Sequence, residues 1–368
     1  MAKNKIKSKS NKSKIKLVKK TKSEKNLSAK SKIIVKSKEM NIDNLLLEKS
    51  KNYSLIQKVL GFVELGRPIE WSKSLLNMFL AVLMVYYVYN FMPLTINSFI
   101  FTFLAGFISV AFLWSGLYAL NDYTDYKIDF IHATKRNRPI PSGKVLPFQG
   151  LIFSIILILT SIIIAVVVLK NTFLLICLLC MIINQLFYTT KPYRLKSRKY
   201  FDIISGSMIN PIFRYLSGIA LFIPLSMFVL ATPILPIIFV ICLQASGYSL
   251  YRLFSKRHDK AIKMQSSVAL IPESIVKKIS YSILAIGALS YIGLFINGLT
   301  LKLDFLGYLP IQYLLPIFFV LIFLFAMPNL RQAIKDPSKA DMKSNYRLLY
   351  TMNILFVIFN MIIFFFIG

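Results

Sequence analysis

Long apolar stretches separated by short polar segments make up most of this chain. Beyond residue 74, nine of them reach the length of about 20 residues that crosses a bilayer. They lie near 75–92, 97–120, 148–168, 172–188, 203–224, 227–250, 279–296, 309–327 and 348–367. The stretches are continuously apolar and do not alternate with polar residues, which excludes a closed β-barrel. The pattern therefore predicts an all-α polytopic membrane bundle of nine transmembrane helices.

Composition and charge support this prediction. Of the 368 residues 56% are hydrophobic and 16% charged, against about 45–50% apolar and about 25% charged in soluble domains. The net charge is nevertheless +30. If the N-terminus lies in the cytosol, 42 of the 45 Lys and Arg residues fall in predicted cytosolic segments, as the positive-inside rule requires. We expect an integral, multi-pass membrane protein with a cytosolic N-terminus and its C-terminus outside.

The first 55 residues differ from the rest. Residues 1–50 contain 16 lysines and four acids and show no periodic apolar face, which predicts a disordered cytosolic tail over 1–55, followed by a nine-helix domain over 56–368. Such a Lys-rich arm is suited to contact with anionic lipid headgroups of the bilayer. No aromatic residue precedes Tyr53, so nucleic-acid binding is not expected.

Acidic residues are scarce but cluster after the second predicted span, in the motif Asn121-Asp122-x-x-Asp125-x-x-x-Asp129. On a helix, these spacings place the three aspartates on one face. Like charges so arranged repel unless a cation lies among them, and carboxylate and amide oxygens are suited to Mg²⁺. We predict that Asp122, Asp125 and Asp129 are catalytic and, with Asn121, hold Mg²⁺. The alternative is a solvated helix end.

Cations follow the acids at once. Lys135, Arg136 and Arg138 precede Pro139-Ile140-Pro141-Ser142-Gly143, whose prolines restrict the backbone. Arginine holds phosphate oxygens in a bidentate manner and lysine acts as a point charge. Carboxylates for Mg²⁺ beside basic residues predict a diphosphate site.

These two motifs together resemble the first signature of the UbiA superfamily of intramembrane prenyltransferases. The resemblance covers about residues 60–368 and implies a nine-helix fold and a Mg²⁺-dependent diphosphate site at the cytosolic side. The basic tail has no counterpart in that family.

Within the superfamily, two motifs resemble the decaprenyl-phosphate phosphoribosyltransferase branch. They are Arg67-Pro68-x-x-Trp71-x-Lys73 and His132-x-Thr134-Lys135-Arg136-x-Arg138-Pro139. Prenyltransferases of the family carry a second aspartate motif after the sixth span, whereas this chain has Tyr248, Tyr251, Lys256 and Arg257 in that region. Cations in place of acids suit a donor with an additional phosphate.

Several polar residues within or beside the spans remain. Arg214 in a predicted span is costly in a membrane, which indicates a functional role with Asp202 or a lipid phosphate as partner, unless the helix boundary lies elsewhere. Asn210-Pro211 is expected to kink the same helix. The cysteines fall in apolar spans, and Cys177-x-x-Cys180 is a weak metal or redox motif. We predict ten substrate-binding residues: Lys73, Lys135, Arg136, Arg138, Tyr188, Arg214, Tyr248, Tyr251, Lys256 and Arg257.

The sequence thus predicts an enzyme that joins a diphosphate donor to a membrane polyprenyl lipid. The first hypothesis is transfer from phosphoribosyl diphosphate to a polyprenyl monophosphate. An alternative keeps the family but uses a prenyl diphosphate as donor, with a glycerol-phosphate lipid or an aromatic ring as acceptor. A transporter is a third possibility, which the concentration of polar residues at helix ends disfavours.

Overall fold

The computed structural model describes residues 42–88, 95–132, 135–228, 234–253, 256–261 and 265–300, and single positions at 335, 351, 354, 355 and 358. All regular structure in these residues is helical, which confirms the all-α prediction. The longer helices are α1 (42–51), α2 (Leu55–Gly66), α3 (Trp71–Val88), α4 (Ile96–Phe130), α6 (Pro147–Ile163), α7 (Thr172–Thr189), α9 (Asn210–Ala220), α10 (Ile234–Arg252) and α13 (Glu273–Thr300). The short helices are α5 (Pro139–Ser142), α8 (Phe201–Ile203), α11 (Lys256–Ala261) and α12 (Ser267–Leu270).

The chain divides into two compact units, one formed by residues 1–62 and 125–149 and a larger one formed by 63–124 and 150–368. The larger unit contains the main apolar core. Side chains of α3, α4, α7, α9 and α10 meet there, with Met78, Leu117, Leu178 and Tyr215 fully buried. Gly218 allows close packing of α9 on α3, since a Cβ at this position would lie 2.5 Å from the Met78 carbonyl oxygen.

Three helices have the length and composition of membrane spans: Ile96–Phe130, Pro147–Val168 and Thr172–Thr189. They confirm the predicted spans at 97–120, 148–168 and 172–188. A shorter apolar helix covers Ile234–Leu250. The predicted span at 309–327 and nearly all of that at 348–367 lie outside the described residues, so the count of nine stays a prediction.

The α6 helix shows how these spans suit a bilayer. Ile152, Ile155, Ile156 and Leu159 lie along one side of α6 and remain 42–55% exposed. An apolar face of this kind is the arrangement expected of a helix in contact with lipid.

The opposite side of α6 carries small residues that pack against α4. Ser154 Oγ donates to the Gly116 carbonyl at 2.7 Å, and a Cβ at Gly116 would lie 2.8 Å from the Ser154 carbonyl oxygen. Small residues and serine hydroxyls are common at helix contacts within membranes.

The predicted span at 203–224 is interrupted. A π-helical stretch, Ile204–Ile209, joins α8 to α9, and Pro211 lies at the start of α9. The Ser205 carbonyl accepts hydrogen bonds from the amides of Asn184 and Asn210, at 2.9 and 3.2 Å. The predicted irregularity at Asn210-Pro211 is therefore present, and neighbouring side chains satisfy the backbone acceptor that it exposes.

The prediction of a disordered tail over 1–55 is wrong for its last part. Residues 42–51 form α1, in which Leu46 is fully buried. Three consecutive leucines, Leu45 to Leu47, give this helix apolar surface that the surrounding lysines conceal in an averaged composition. Residues 1–41 lie outside the described part of the chain.

Candidate active site

The acidic motif lies at the end of α4. Asp122 belongs to the larger unit and Asp125 and Asp129 to the smaller one, but all three lie on this unbroken helix. Asp122 and Asp129 are only 1% and 2% exposed. The predicted helical spacing is confirmed, and it places the outer two aspartates about 10 Å apart along the axis.

Arg67 is the partner of Asp122. Its Nη2 atom donates to both carboxylate oxygens, at 2.5 and 2.7 Å. Two hydrogen bonds hold the segment around Arg67 against α4. Trp71 Nε1 donates to Ser115 Oγ on α4, and Ser115 Oγ donates to the Gly66 carbonyl, at 2.8 and 2.6 Å. Arg67 was not among the predicted site residues, although the Arg-Pro-x-x-Trp motif contains the signal.

The backbone and the charge of Arg67 are both unusual. Its φ of 49° and ψ of 57° lie in the left-handed region, which is costly for a residue with a side chain and is often found at functional sites. Burial alone would lower the pKa of Arg67, but the carboxylates of Asp122 and Glu70 outweigh it and raise the pKa above its usual value. The guanidinium therefore stays charged.

Asn121 makes different contacts from those predicted. Its Oδ1 atom accepts hydrogen bonds from Lys196 Nζ and from Thr189 Oγ1, both at 2.8 Å. Lys196 is 4% exposed, so a buried cation occupies the oxygen that we expected to face a metal ion. Lys196 was not predicted, because only the fold brings it to Asn121.

In the smaller unit, Asp129 is surrounded by the predicted basic residues. Arg138 Nη1 lies 2.7 Å from Asp129 Oδ2, and Lys135 Nζ lies 3.8 Å from Oδ1. Arg138 immediately precedes α5. Gly143 ends this helix with a φ of 87°, which glycine adopts without strain. Arg136 is exposed to solvent. The structure thus brings Lys135 and Arg138 to the acidic motif.

Helix α1 packs against the end of α4 and against the loop around Gly143. Asp43 Oδ1 accepts a hydrogen bond from the hydroxyl of Tyr126 on α4 at 2.8 Å, and Lys49 Nζ lies 4.7 Å from the centre of the Phe130 ring. A Cβ at Gly143 would lie 3.0 Å from the Lys49 Cβ. Tyr53 OH donates to the Ser142 carbonyl at 3.4 Å. The end of the predicted tail therefore packs against the loop around Gly143.

Two of the predicted tyrosines meet across the larger unit. The hydroxyls of Tyr188 on α7 and Tyr248 on α10 are 2.7 Å apart, and Arg252 Nη1 lies 3.3 Å from the Tyr248 hydroxyl. Tyr188 precedes Thr189, the partner of Asn121. The end of α7 therefore contacts both the acidic motif and the tyrosine pair. The side chains of Tyr251 and Arg257 lie outside the described part of the chain.

Two acids of the second half, Asp202 and Asp259, are engaged in structural contacts. Asp259 accepts from Arg252 and Ser266, at 2.6 and 2.9 Å. Asp202 accepts from the backbone and hydroxyl of Ser267, at 3.0 and 2.5 Å, and burial raises the pKa of Asp202 above its usual value. Asp202 is therefore not the partner predicted for Arg214.

Lys256 lies beside this region. Its Nζ atom donates to the Ile271 carbonyl at 2.8 Å. Burial, with a smaller effect of nearby Lys260, lowers the pKa of Lys256 below its usual value.

Lys73 and Arg214 lie at the start of α3 and inside α9. Lys73 Nζ lies 2.5 Å from Glu70 Oε2, and Tyr118 OH donates to the same oxygen at 3.4 Å. Arg214 lies within α9 and is 3% exposed, so it is not a solvent-exposed cation at a helix end. Its guanidinium lies 3.7 Å from the centre of the Trp114 ring, a cation–π contact.

Within the described residues, no three histidine, cysteine or acidic side chains converge as ligands of a single metal ion. Asp122 and Asp129, the two buried aspartates of the acidic motif, instead hold the guanidinium groups of Arg67 and Arg138. Within the larger unit and within the smaller one, a buried carboxylate of α4 is therefore paired with a cation.

A family comparison gives this arrangement its context. Residues 74–357 match the model of the UbiA prenyltransferase family. The chain belongs to this family. It is a UbiA-family transferase, an integral membrane enzyme, as the resemblance implied. The remote alternative of a transporter is not supported.

The UbiA membership agrees with solved structures. A UbiA homologue from Archaeoglobus fulgidus bound to GPP and Mg²⁺ superimposes with a TM-score of 0.61, over 81% of this chain and 96% of that one, at 15% identity. The apo structure of a UbiA homologue from Aeropyrum pernix K1 gives 0.59, over 80% and 99%, at 17% identity. These likenesses confirm the UbiA fold.

A curated relative matches over a shorter region. Digeranylgeranylglyceryl phosphate synthase from Methanosphaera stadtmanae is 48% identical over 66 residues. The match covers 17% of this chain and 24% of the length of that relative.

Proposed function

We propose that this UbiA protein transfers the phosphoribosyl group of phosphoribosyl diphosphate onto a polyprenyl monophosphate, with Mg²⁺ as cofactor. The observation that carries the proposal is the absence of a second acidic motif. Between residues 234 and 272 the sequence contains one acid, Asp259, and this carboxylate is 3% exposed and bound by Arg252 and Ser266. A second Mg²⁺ for a prenyl diphosphate would therefore find in this region one carboxylate, which Arg252 and Ser266 already hold.

The residues at the end of α4 fit Mg²⁺. Asp122 and Asp129 are buried and hold positive charge already, in the guanidinium groups of Arg67 and Arg138. Asp125 lies between them on the same helix. Hard carboxylate oxygens beside cations suit an ion that binds through one or two carboxylates and substrate phosphates. We assign the ligands to the aspartates of this motif, Asp122, Asp125 and Asp129, of which one or two would bind a given ion. Asn121, held by Lys196, is a positioning residue.

The reaction breaks the bond between the anomeric carbon of the ribose and the diphosphate, which leaves with the bonding electrons. The anomeric carbon then has oxocarbenium character, and an oxygen of the lipid phosphate forms the new bond. This acceptor is already anionic, so no general base is required. Mg²⁺ when bound neutralises charge that develops on the leaving diphosphate. We assign phosphate binding to Arg67, which Asp122 holds, and to Lys135 and Arg138, which Asp129 holds. Each would bind phosphate oxygens of the donor once the donor separates it from its carboxylate.

Besides its diphosphate, this donor carries an additional phosphate on the far side of the ribose, which needs cations there. We assign this role to Lys256 and Arg257, which stand where prenyltransferases of the family carry their second acidic motif. Tyr188, Tyr248 and Tyr251 would line the donor site, and Arg136 would add charge at its solvent side. Lys256→Gln should lower affinity for phosphoribosyl diphosphate by about tenfold or more, the loss of one charge-assisted contact.

A second candidate is transfer of a prenyl group from a polyprenyl diphosphate to a glycerol-phosphate lipid. The identity of 48% over 66 residues with digeranylgeranylglyceryl phosphate synthase favours it, as do solved UbiA homologues bound to GPP or DMAPP with Mg²⁺. Both candidates require the α4 aspartates and a lipid that carries a phosphate.

The donor experiment decides between them. Purified protein is incubated with Mg²⁺, with each labelled donor in turn and with each acceptor lipid, and label is counted in the lipid phase. We expect transfer from phosphoribosyl diphosphate to polyprenyl monophosphate. The matched control is Asp125→Asn, which should abolish transfer. Transfer from a prenyl diphosphate with none from phosphoribosyl diphosphate would refute the proposal in favour of the second candidate.

A further inference from the structure

Three buried side chains on α3 and α9 carry hydrogen-bond donors that find no acceptor among the described residues. The atoms are Ser74 Oγ, Asn77 Nδ2 and Arg214 Nε. Ser74 and Asn77 are fully buried and Arg214 is 3% exposed. Buried polar groups in native proteins nearly always have a partner, so three such donors on two packed helices indicate a ligand.

The register of the two helices places Arg214 level with Ser74, and Asn77 follows Ser74 by nearly one turn of α3. Gly218 on α9 packs against Met78 on α3. One turn earlier along each helix are Arg214 and Ser74. Arg214 Nη2 donates to Tyr118 OH at 3.4 Å, and that hydroxyl donates to Glu70, which immediately precedes α3. The two helices therefore run in the same direction, which places Arg214 beside the first turns of α3.

The amide of Asn77 is held through its oxygen. Ser74 and Asn77 are three residues apart and so share a face of α3. Gln244 on α10 donates its Nε2 to Asn77 Oδ1 at 2.9 Å. This contact occupies the acceptor of the amide and leaves its donor for a ligand.

The charge of Arg214 is not neutralised within the described residues. Its contacts there are the Trp114 ring and the Tyr118 hydroxyl, and no described carboxylate lies within ion-pair distance. Glu70 binds Lys73, and Asp122 binds Arg67. A buried guanidinium inside a membrane helix is costly unless an anion accompanies it.

We propose that Ser74, Asn77 and Arg214 bind the phosphate monoester of the lipid acceptor. All three offer donors, which suits a phosphate whose oxygens only accept. Their place on helices of the apolar core suits a ligand that enters from the bilayer. The inference rests on the proposed function only in requiring a lipid phosphate acceptor, which both candidate reactions share.

Binding in the absence of donor tests this site independently of the reaction. Polyprenyl monophosphate and the matching polyprenol are titrated into purified protein in detergent, and affinity is measured for each. We expect the unmodified protein to prefer the monophosphate. Arg214→Gln should weaken monophosphate binding by about ten- to hundredfold, as for a charge-assisted contact, and should leave polyprenol binding unchanged. Arg198→Gln, which removes an exposed guanidinium, is the matched control.

A second variant covers the case in which Arg214→Gln does not fold. Ser74→Ala removes a hydroxyl without a described partner, so the ligand-free protein should be no less stable, whereas monophosphate binding should weaken. In turnover assays, both variants should raise KM for the lipid and leave KM for the soluble donor within about twofold. Unchanged monophosphate affinity in both variants would overturn the proposal. So would a raised KM for the donor alone, because the phosphate bound there would then be that of the donor.

Discussion

Removing the Arg67 guanidinium should destabilise this UbiA protein in a way that Mg²⁺ reverses. Arg67 donates to both oxygens of Asp122, which is 1% exposed. Loss of one partner from a buried ion pair costs about 3–5 kcal/mol. Since the Arg67 side chain is 23% exposed, water offsets part of this cost, and we expect Arg67→Gln to lower the free energy of unfolding by about 2–3 kcal/mol.

Magnesium should then restore stability selectively. In the variant, the Arg67 guanidinium no longer competes with a divalent ion for the Asp122 oxygens. Mg²⁺ at about a hundredfold excess over its Kd should add about 2.7 kcal/mol, and more to the variant than to the unmodified protein, in which Arg67 competes. The free energy of unfolding is measured by denaturant titration in mixed micelles, with and without Mg²⁺.

The control is Arg198→Gln. The Arg198 guanidinium is exposed and donates to the Pro192 carbonyl, so stability should change by no more than about 0.5 kcal/mol. If Arg67→Gln were as stable as the control variant, or if Mg²⁺ stabilised both variants equally, the pairing of Arg67 with a metal-binding carboxylate would be refuted.

Three further predictions concern the acidic motif, the tail and the topology. Asp129→Asn keeps a hydrogen-bond acceptor for Arg138 but loses the charge, and kcat should fall by about a hundredfold or more; near-normal turnover at saturating Mg²⁺ would contradict this. Deleting residues 2–41 should leave kcat unchanged, whereas deleting 2–53 removes α1 and should impair turnover; equal rates for both truncations would show that α1 does not support the loop. A reporter fused after residue 368 should lie outside the cytosol and one after residue 145 inside, and finding both on one side would contradict the predicted orientation.

The acidic motif could be predicted because it is local. The spacing of Asp122, Asp125 and Asp129 has the period of a helix, and α4 continues through all three. Lys135 and Arg138 follow within ten residues of Asp129, so a short loop suffices to bring them back to the acid.

Contacts between distant parts of the chain could not be predicted in the same way. Lys196 reaches Asn121, and Tyr188 meets Tyr248, only because the fold brings α7 to both α4 and α10. Helix α1 could not be predicted because a run of three leucines is short and its partners, Tyr126 and the loop around Gly143, lie far along the sequence.

The central claim is that the aspartate face of α4 binds a divalent cation together with the diphosphate of the donor. Pulsed EPR on protein loaded with Mn²⁺ in place of Mg²⁺, with phosphoribosyl diphosphate and without lipid acceptor, tests it directly. We expect phosphorus hyperfine coupling to a protein-bound Mn²⁺, and loss of bound Mn²⁺ in Asp125→Asn. Retention of the same coupled signal in Asp125→Asn, or no bound Mn²⁺ in the unmodified protein, would contradict it.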